Sequence, residues 1–177
     1  IASAALDDPQ PIVRRAAAAA LATIEDERSP AVLVKALGDD DASVRAAVAE
    51  SIGRIGLPAL DLTVEALSEH ELEDGALIAL DRLPVESCQD AIRAYARDRT
   101  TRALHYHSMW QWTENLVETQ ERARLLVDSL RWMARYHGTN VLRAVAALED
   151  GNAVHIAIDS LGSNDPLQLA NAVETLD

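Results

Sequence analysis

A register of 31 residues constrains this chain more than any other feature of it. Leu6, Asp8, Val13, Arg14, Leu21 and Ile24 recur as Leu37, Asp39, Val44, Arg45, Ile52 and Ile55, each 31 positions further on. That period falls among those of helical solenoids, in which a unit buries its apolar face only by stacking on the next unit. The unit is clearest over residues 37–56, LGDDDASVRAAVAESIGRIG. Asp39, Asp40 and Asp41 offer carboxylate oxygens to the free amides of a helix starting near Ala42, where negative charge also suits the positive helix end. Val44, Ala47, Val48, Ser51, Ile52 and Ile55 then fall at three- and four-residue steps along one face. Ala46, Ala49 and Gly53 line the other side and allow close neighbours on both flanks. Gly56 supplies a stop and Pro58 opens the next helix.

The acidic turn followed by Val-Arg and an Ala-rich helix resembles the HEAT-repeat family, and its short period is similar to the bacterial HEAT-like repeats of phycobilisome lyases. The match is close over residues 1–56 and degenerate at 60–83, where Gly75 stands near the Arg position. It returns weakly at 140–177 through Leu148, Asp150, Val154, Ala157 and Leu161, with His155 in place of the Arg. The resemblance implies an all-α fold, a helical-hairpin solenoid or α-α superhelix. It also implies that Arg14 and Arg45 form a structural ladder between helices, to Asp8 and Asp39.

Composition agrees with close helix packing. Hydrophobic residues make up 49% of the chain but aromatic residues only 3%, with Phe absent, so small aliphatic side chains fill the core. A single cysteine, Cys88, excludes an internal disulfide framework, fits a reducing compartment and reads as a small buried apolar residue. No signal peptide, membrane span or lipidation motif is visible. The first residue is Ile and lies in what reads as the last turn of a helix, and the last lies inside another. The expectation is an excised piece of a longer protein.

A formal charge of −13 argues against phosphate-backbone binding, which needs a basic stripe to displace counterions. The charge is uneven. Residues 89–137 hold eight Arg against six acids, while the remainder holds eight bases against twenty-three acids. The same stretch contains all three Trp, all three Tyr, both Met and three of the five His.

In chain order, the patterns predict helices at 10–25, at 29–37 with Ser29 as N-cap and Pro30 in the first turn, at 42–55, at 58–69 and at 72–83. After Pro84 the rhythm changes. A helix is expected at 85–98, then one capped by Thr100 or Thr101 and running to about Glu118. A longer one follows at 119–137, with Leu126, Leu130, Met133 and Tyr136 on one side and Gly138 as a left-handed stop. Short helices at 139–149, at 152–161 and from Asp165 would follow. This reads as one domain with regular repeats at 1–84, irregular longer helices at 85–138 and degenerate repeats at 139–177.

The aromatic middle has two readings. Its rings fill the wider space between longer helices, or Arg102, His105, Tyr106, Trp110 and Trp112 form a contact patch of the kind enriched in aromatics and Arg. Trp110 and Trp112, two apart on a helix, point in different directions, so at least one of them is less buried.

No catalytic or metal constellation emerges. His105 and His107 do not converge on a helix, and HExxH, paired Cys, P-loop, GxGxxG and GxSxG patterns are missing. His70-Glu71 is the dipeptide that HEAT-like deoxyhypusine hydroxylases repeat several times to hold iron; here it occurs once. No cofactor is expected. The run ERARLLVDSLRWMARYHG, with the closing NAVETLD, is similar to the HEAT segment of bacterial membrane proteins related to nucleotide transporters, although Leu169 stands where that pattern tends to carry Arg. That likeness implies a cytoplasmic connector, membrane-associated through a missing part.

The leading expectation is therefore a non-catalytic scaffold for a protein or a neighbouring domain of the same chain, without nucleic acid and without direct membrane insertion. Two alternatives stand beside it. One is a bilin lyase-like enzyme with a tetrapyrrole cleft at the aromatic middle, implied by the lyase-type repeats. The other is a nucleic-acid-binding HEAT-like protein acting through the central arginines.

Overall fold

The computed structural model describes residues 3–24, 26–117 and 124–148. Among them are seven α-helices and no strand. The helices are α1 (Pro11–Leu21), α2 (Ser29–Lys35), α3 (Ala42–Ile55), α4 (Leu57–Ala66), α5 (Glu73–Leu80), α6 (Gln89–Val117) and α7 (Arg124–Leu148). Single 3-10 turns stand at Ala4–Asp7, Ala36–Gly38 and Val85–Ser87. The chain divides into two compact units, residues 1–91 and 92–177.

In the first unit the 31-residue register is carried by the helices themselves. α1, α3 and α5 start at residues 11, 42 and 73, and so step by 31 twice. α3 packs between α1 and α5 in one layer, and α2 packs on α4 in the other. Equivalent positions meet equivalent fates. Ala18, Ala49 and Leu80 are buried, as are Ala17, Val48 and Ala79, and Leu21, Ile52 and Leu83. Leu33, Leu37, Ile52 and Leu77 are enclosed almost completely, each contributing roughly 1.5–3 kcal/mol of transfer free energy. Of the small residues expected between layers, Ala49 is fully buried whereas Ala46 faces solvent.

Local chemistry explains the starts and stops. Asp41 caps α3, its Oδ1 accepting from the backbone N–H groups of Ser43 at 2.8 Å and Val44 at 3.2 Å. The equivalent residues before α1 and α5 are Gln10 and Leu72, which make no such bond. Ser29 is not the cap expected of it. It lies inside α2, buried, with its hydroxyl unpartnered among the described residues, because the chain enters the helix one residue earlier at Arg28. Gly56 ends α3 at φ 73°, ψ −136°, a conformation that L side chains avoid.

Glycine serves a second purpose where neighbouring segments touch. A Cβ on Gly75 would collide with the backbone carbonyl oxygen of Leu37 and stand 2.7 Å from the Leu37 Cβ. One on Gly53 would stand 2.7 Å from the Arg82 Cβ. In both places a helix approaches backbone or side-chain stem more closely than alanine allows.

The second unit departs from the expected rhythm. The break at Thr100 or Thr101 does not occur, and α6 runs unbroken for 29 residues. Both hydroxyls bond back one turn, to the carbonyls of Ala96 at 2.8 Å and Arg97 at 2.9 Å, so they are satisfied inside the helix instead of capping a new one. Gly138 does not stop α7 either. Its φ is negative, the helix continues to Leu148, and the separate helix expected at 139–149 is the last part of α7. The inward stripe of α7 is Val127, Leu130, His137, Asn140 and Ala144, whereas Leu126 is 53% exposed. The helices expected at 152–161 and from Asp165, the residues His155 and Leu169, and the repeat-like pattern beyond Leu148 lie outside the described residues.

Three glycine substitutions separate these roles. Gly75→Ala is expected to destabilise the protein by roughly 1–3 kcal/mol, because the added methyl group overpacks a rigid carbonyl. Gly56→Ala should also cost roughly 1–3 kcal/mol, through its backbone conformation. Gly138→Ala meets open space and should raise stability by about 0.5–1 kcal/mol. Urea unfolding of the three variants checks the set, and loss of stability in Gly138→Ala would contradict a continuous α7.

Candidate functional site

Two groups of polar side chains stand out, one in each unit. The first is the arginine ladder. Arg14 grips the Asp39 carboxylate with two parallel bonds, Nε to Oδ2 at 2.6 Å and Nη2 to Oδ1 at 2.8 Å. Its Nη1 donates to the Asp8 carbonyl at 2.9 Å. Arg45 repeats the backbone half of this pattern, Nη1 donating to the carbonyls of Asp39 at 2.6 Å and Asp40 at 3.1 Å. Of the residues expected to form a ladder, Arg14 meets Asp8 and Arg45 meets Asp39 at the backbone carbonyl and not at the carboxylate. The carboxylate contact instead crosses to the next repeat, from Arg14 to Asp39.

The acids have local work as well. Asp8 Oδ1 accepts from the Gln10 N–H at 2.8 Å and Asp39 Oδ1 from the Asp41 N–H at 2.9 Å, the same turn 31 residues apart. One further step of 31 from Asp39 arrives at His70, whose exposed ring lies 3.9 Å from the buried carboxylate of Glu73. The second rung thus lacks its cross-repeat carboxylate. Arg45 instead lines an open depression of about 560 Å³ with Asp39, Asp40, His70, Glu71 and Asp74. Among the described residues no group of three or more His, Cys, Asp or Glu is placed to hold a metal ion.

Electrostatics follow this geometry. The Arg14 hydrogen bonds hold the Asp39 carboxyl below its ordinary range, against the cost of burial and with help from the Asp41 N–H. The hydroxyl and N–H of Ser43 do the same for Asp41. Cys88 shifts the other way: burial, aided by the charges of Asp61 and Glu86, pushes its thiol up. A thiol so disposed is a poor nucleophile at neutral pH.

The second group lies along α6 and α7. Tyr106 stacks on His137 with centroids 5.6 Å apart, and Arg131 sits 4.7 Å above the Trp110 ring while donating to Glu114 at 3.2 Å. Partners rise along α6 as they fall along α7, so the two helices run antiparallel. His107 meets Trp110 edge-on at 5.0 Å, and Trp132 stacks on Tyr136 at 5.3 Å. An open groove of about 470 Å³ is lined by Ala103, Leu104, His107 and Trp110 from α6 and by Arg131, Ala134 and Arg135 from α7.

The five residues of the expected patch separate accordingly. Tyr106 and Trp110 are half-buried and turn toward α7. Arg102, His105 and Trp112 face outward, with Trp112 79% exposed and Arg102 paired to Asp98 at 2.8 Å. Met109 joins them, since 102, 105, 109 and 112 are spaced three, four and three residues apart on one exposed face. The sequence reading missed the pairing of Arg131 with Trp110 and the place of Arg135 and His107 beside it. The available signal was the spacing of Arg131 and Arg135, one turn apart on a helix, but nothing in sequence sets their register against α6.

Two layers of short helices in a fixed register, tied by an arginine-carboxylate rung, define the first unit as a helical-repeat solenoid module. The family model describing HEAT repeats matches residues 1–81, and the two-layer helical architecture of this stretch fits such a helical-hairpin solenoid. HEAT repeats commonly serve as protein-interaction scaffolds and are generally non-catalytic. No curated protein and no solved structure matches the chain. Nothing in these comparisons carries the resemblance to transporter-related membrane proteins. Among the described residues no helix is long and apolar enough to cross a membrane.

The ladder predicts a pH dependence. A carboxyl whose folded pKa lies below its unfolded value of about 3.9 stabilises the fold above that value, and loses this contribution as pH falls through the folded pKa. Arg14→Gln should therefore lower Tm at pH 7 and flatten the decline of Tm between about pH 4 and pH 2. Arg45→Gln, which removes no carboxylate pair, should lower Tm less and leave that decline intact. Thermal melts of both variants across this range distinguish the two rungs.

Proposed function

We propose that this chain is a non-catalytic interaction scaffold, in which the HEAT-repeat unit supplies a stacked frame and α6 with α7 offers the contact surface. The observation that supports this reading is the outward stripe of Arg102, His105, Met109 and Trp112. Arginine, methionine and tryptophan are the side chains enriched at protein interfaces, and tryptophan dominates their binding energy. Leu104, Leu125 and Trp132 add exposed apolar surface, at 62%, 80% and 59%. The first unit exposes Ile12, Ile24 and Leu57, one on each of three separate segments. Scattered residues of that kind are normal on any protein surface.

A photo-crosslinking residue placed at 105, 109 or 112 in the cells that make the protein should give a discrete adduct with one protein or one neighbouring domain. The same residue at Arg15, exposed on α1, should not. Trp112→Ser should weaken the captured partner's binding by about 2 kcal/mol or more, roughly 30-fold, and change stability by no more than about 0.5 kcal/mol. Adducts at 105, 109 and 112 no stronger than at Arg15 would overturn the scaffold reading.

A further inference from the structure

The groove along α6 and α7 differs from the outward stripe in one respect: it concentrates positive charge. Its lining holds the guanidinium groups of Arg131 and Arg135 and no carboxylate. Glu114, outside the lining, takes one N–H of Arg131 through Nη2. Arg135, one helical turn further along α7, has no hydrogen-bond or ion-pair partner among the described residues. Between the charges the wall is apolar and shallow, formed by Ala103 and Ala134, with the Trp110 ring held under Arg131.

We propose that this groove receives an acidic peptide segment of the scaffold's partner protein. In it, carboxylates pair with Arg131 and Arg135 and an apolar side chain rests on the two alanines beside Trp110. The proposal rests on the scaffold reading and names the chemistry of its partner. Charge complementarity selects the occupant. Outside residues 89–137 the chain carries twenty-three acids against eight bases, so an acidic segment is repelled from most of the molecule and finds attraction here. The same contrast disfavours a polyanionic nucleic acid, whose many phosphates would outrun two guanidinium groups on a chain of net charge −13. Shape points the same way. The Arg131 side chain remains 48% exposed, so the groove is open along its length and suits an extended chain better than an enclosed small molecule. Bidentate geometry on two guanidinium groups one turn apart favours carboxylates spaced along a backbone.

An array of 12-residue peptides that vary the number of Glu residues around one Leu or Phe tests this directly, read by fluorescence polarisation with the whole chain. Acidic members are expected to bind, and their Gln counterparts to bind at least about tenfold more weakly. Arg135→Gln, at an exposed position, should weaken binding about tenfold and the Arg131→Gln/Arg135→Gln pair about a hundredfold, with circular dichroism unchanged. The slope of log affinity against log salt should fall in step. The proposal is overturned if acidic peptides bind no better than their Gln counterparts, if the arginine variants leave affinity unchanged, or if a 12-base-pair DNA duplex binds as tightly and responds to the same variants. Crosslinks from position 112 that persist in the double arginine variant while peptide binding stays unaltered would reject the groove and leave the scaffold reading standing.

Discussion

The close approach of Gly75 on α5 to the carbonyl of Leu37 sets the terms for its neighbours in the first unit. Backbone meets backbone there without any side chain between, so the layer of α1, α3 and α5 cannot shift against the turn at Ala36–Gly38 without a clash. The alanines at 18, 49, 76 and 79 extend the same condition along the layer. Small residues give each helix little apolar area, and the array compensates by burying α3 on both flanks. Stability in such an array is shared between neighbouring repeats and belongs to no single helix.

The arginine ladder adds direction to that stack. Arg14 ties the backbone of its own acidic turn to the carboxylate of the next turn, so one side chain fixes both the conformation of a loop and the distance between repeats. Arg45 keeps the first duty and loses the second, because His70 occupies the place of the third acid. The repeat is thus regular in its helices through three units and regular in its arginine-to-backbone ties through only two. The Arg14–Asp39 side chains are only 15% and 11% exposed, so the cost of taking both charges out of water offsets much of their attraction and the tie serves spacing as much as stability.

The second unit is built on the opposite principle. Large rings and a guanidinium group meet between α6 and α7, Tyr106 stacked on His137 at 5.6 Å and Arg131 over the Trp110 ring at 4.7 Å. Two polar atoms, Trp110 Nε1 and Asn140 Nδ2, are enclosed without a hydrogen-bond partner among the described residues, at a cost of roughly 1–3 kcal/mol each. Violations of this sort concentrate where a protein gives up packing for function. They lie on the same pair of helices as the exposed tryptophans, whereas the repeat unit has a single such atom in the hydroxyl of Ser29.

What could be read from sequence was local and periodic. The 31-residue step, the Asp41 cap, the stop at Gly56 and the two-layer helical architecture each follow from a few residues whose preferences act within one turn or one repeat. The continuous course of α6 and α7 did not follow. Threonine and glycine are tolerated inside a helix at less than about 1 kcal/mol each, so Thr100, Thr101 and Gly138 mark a break only when nothing else holds the helix together. For the same reason sequence placed Arg102, His105, Tyr106, Trp110 and Trp112 in one patch. Which of them turned inward depended on the register of α6 against α7, set by Tyr106 on His137 and Arg131 on Trp110. Repeat spacing is written along the chain because each unit meets a copy of itself. The groove and the outward stripe were decided only in three dimensions, because two unlike helices have no shared pattern from which their register could be inferred.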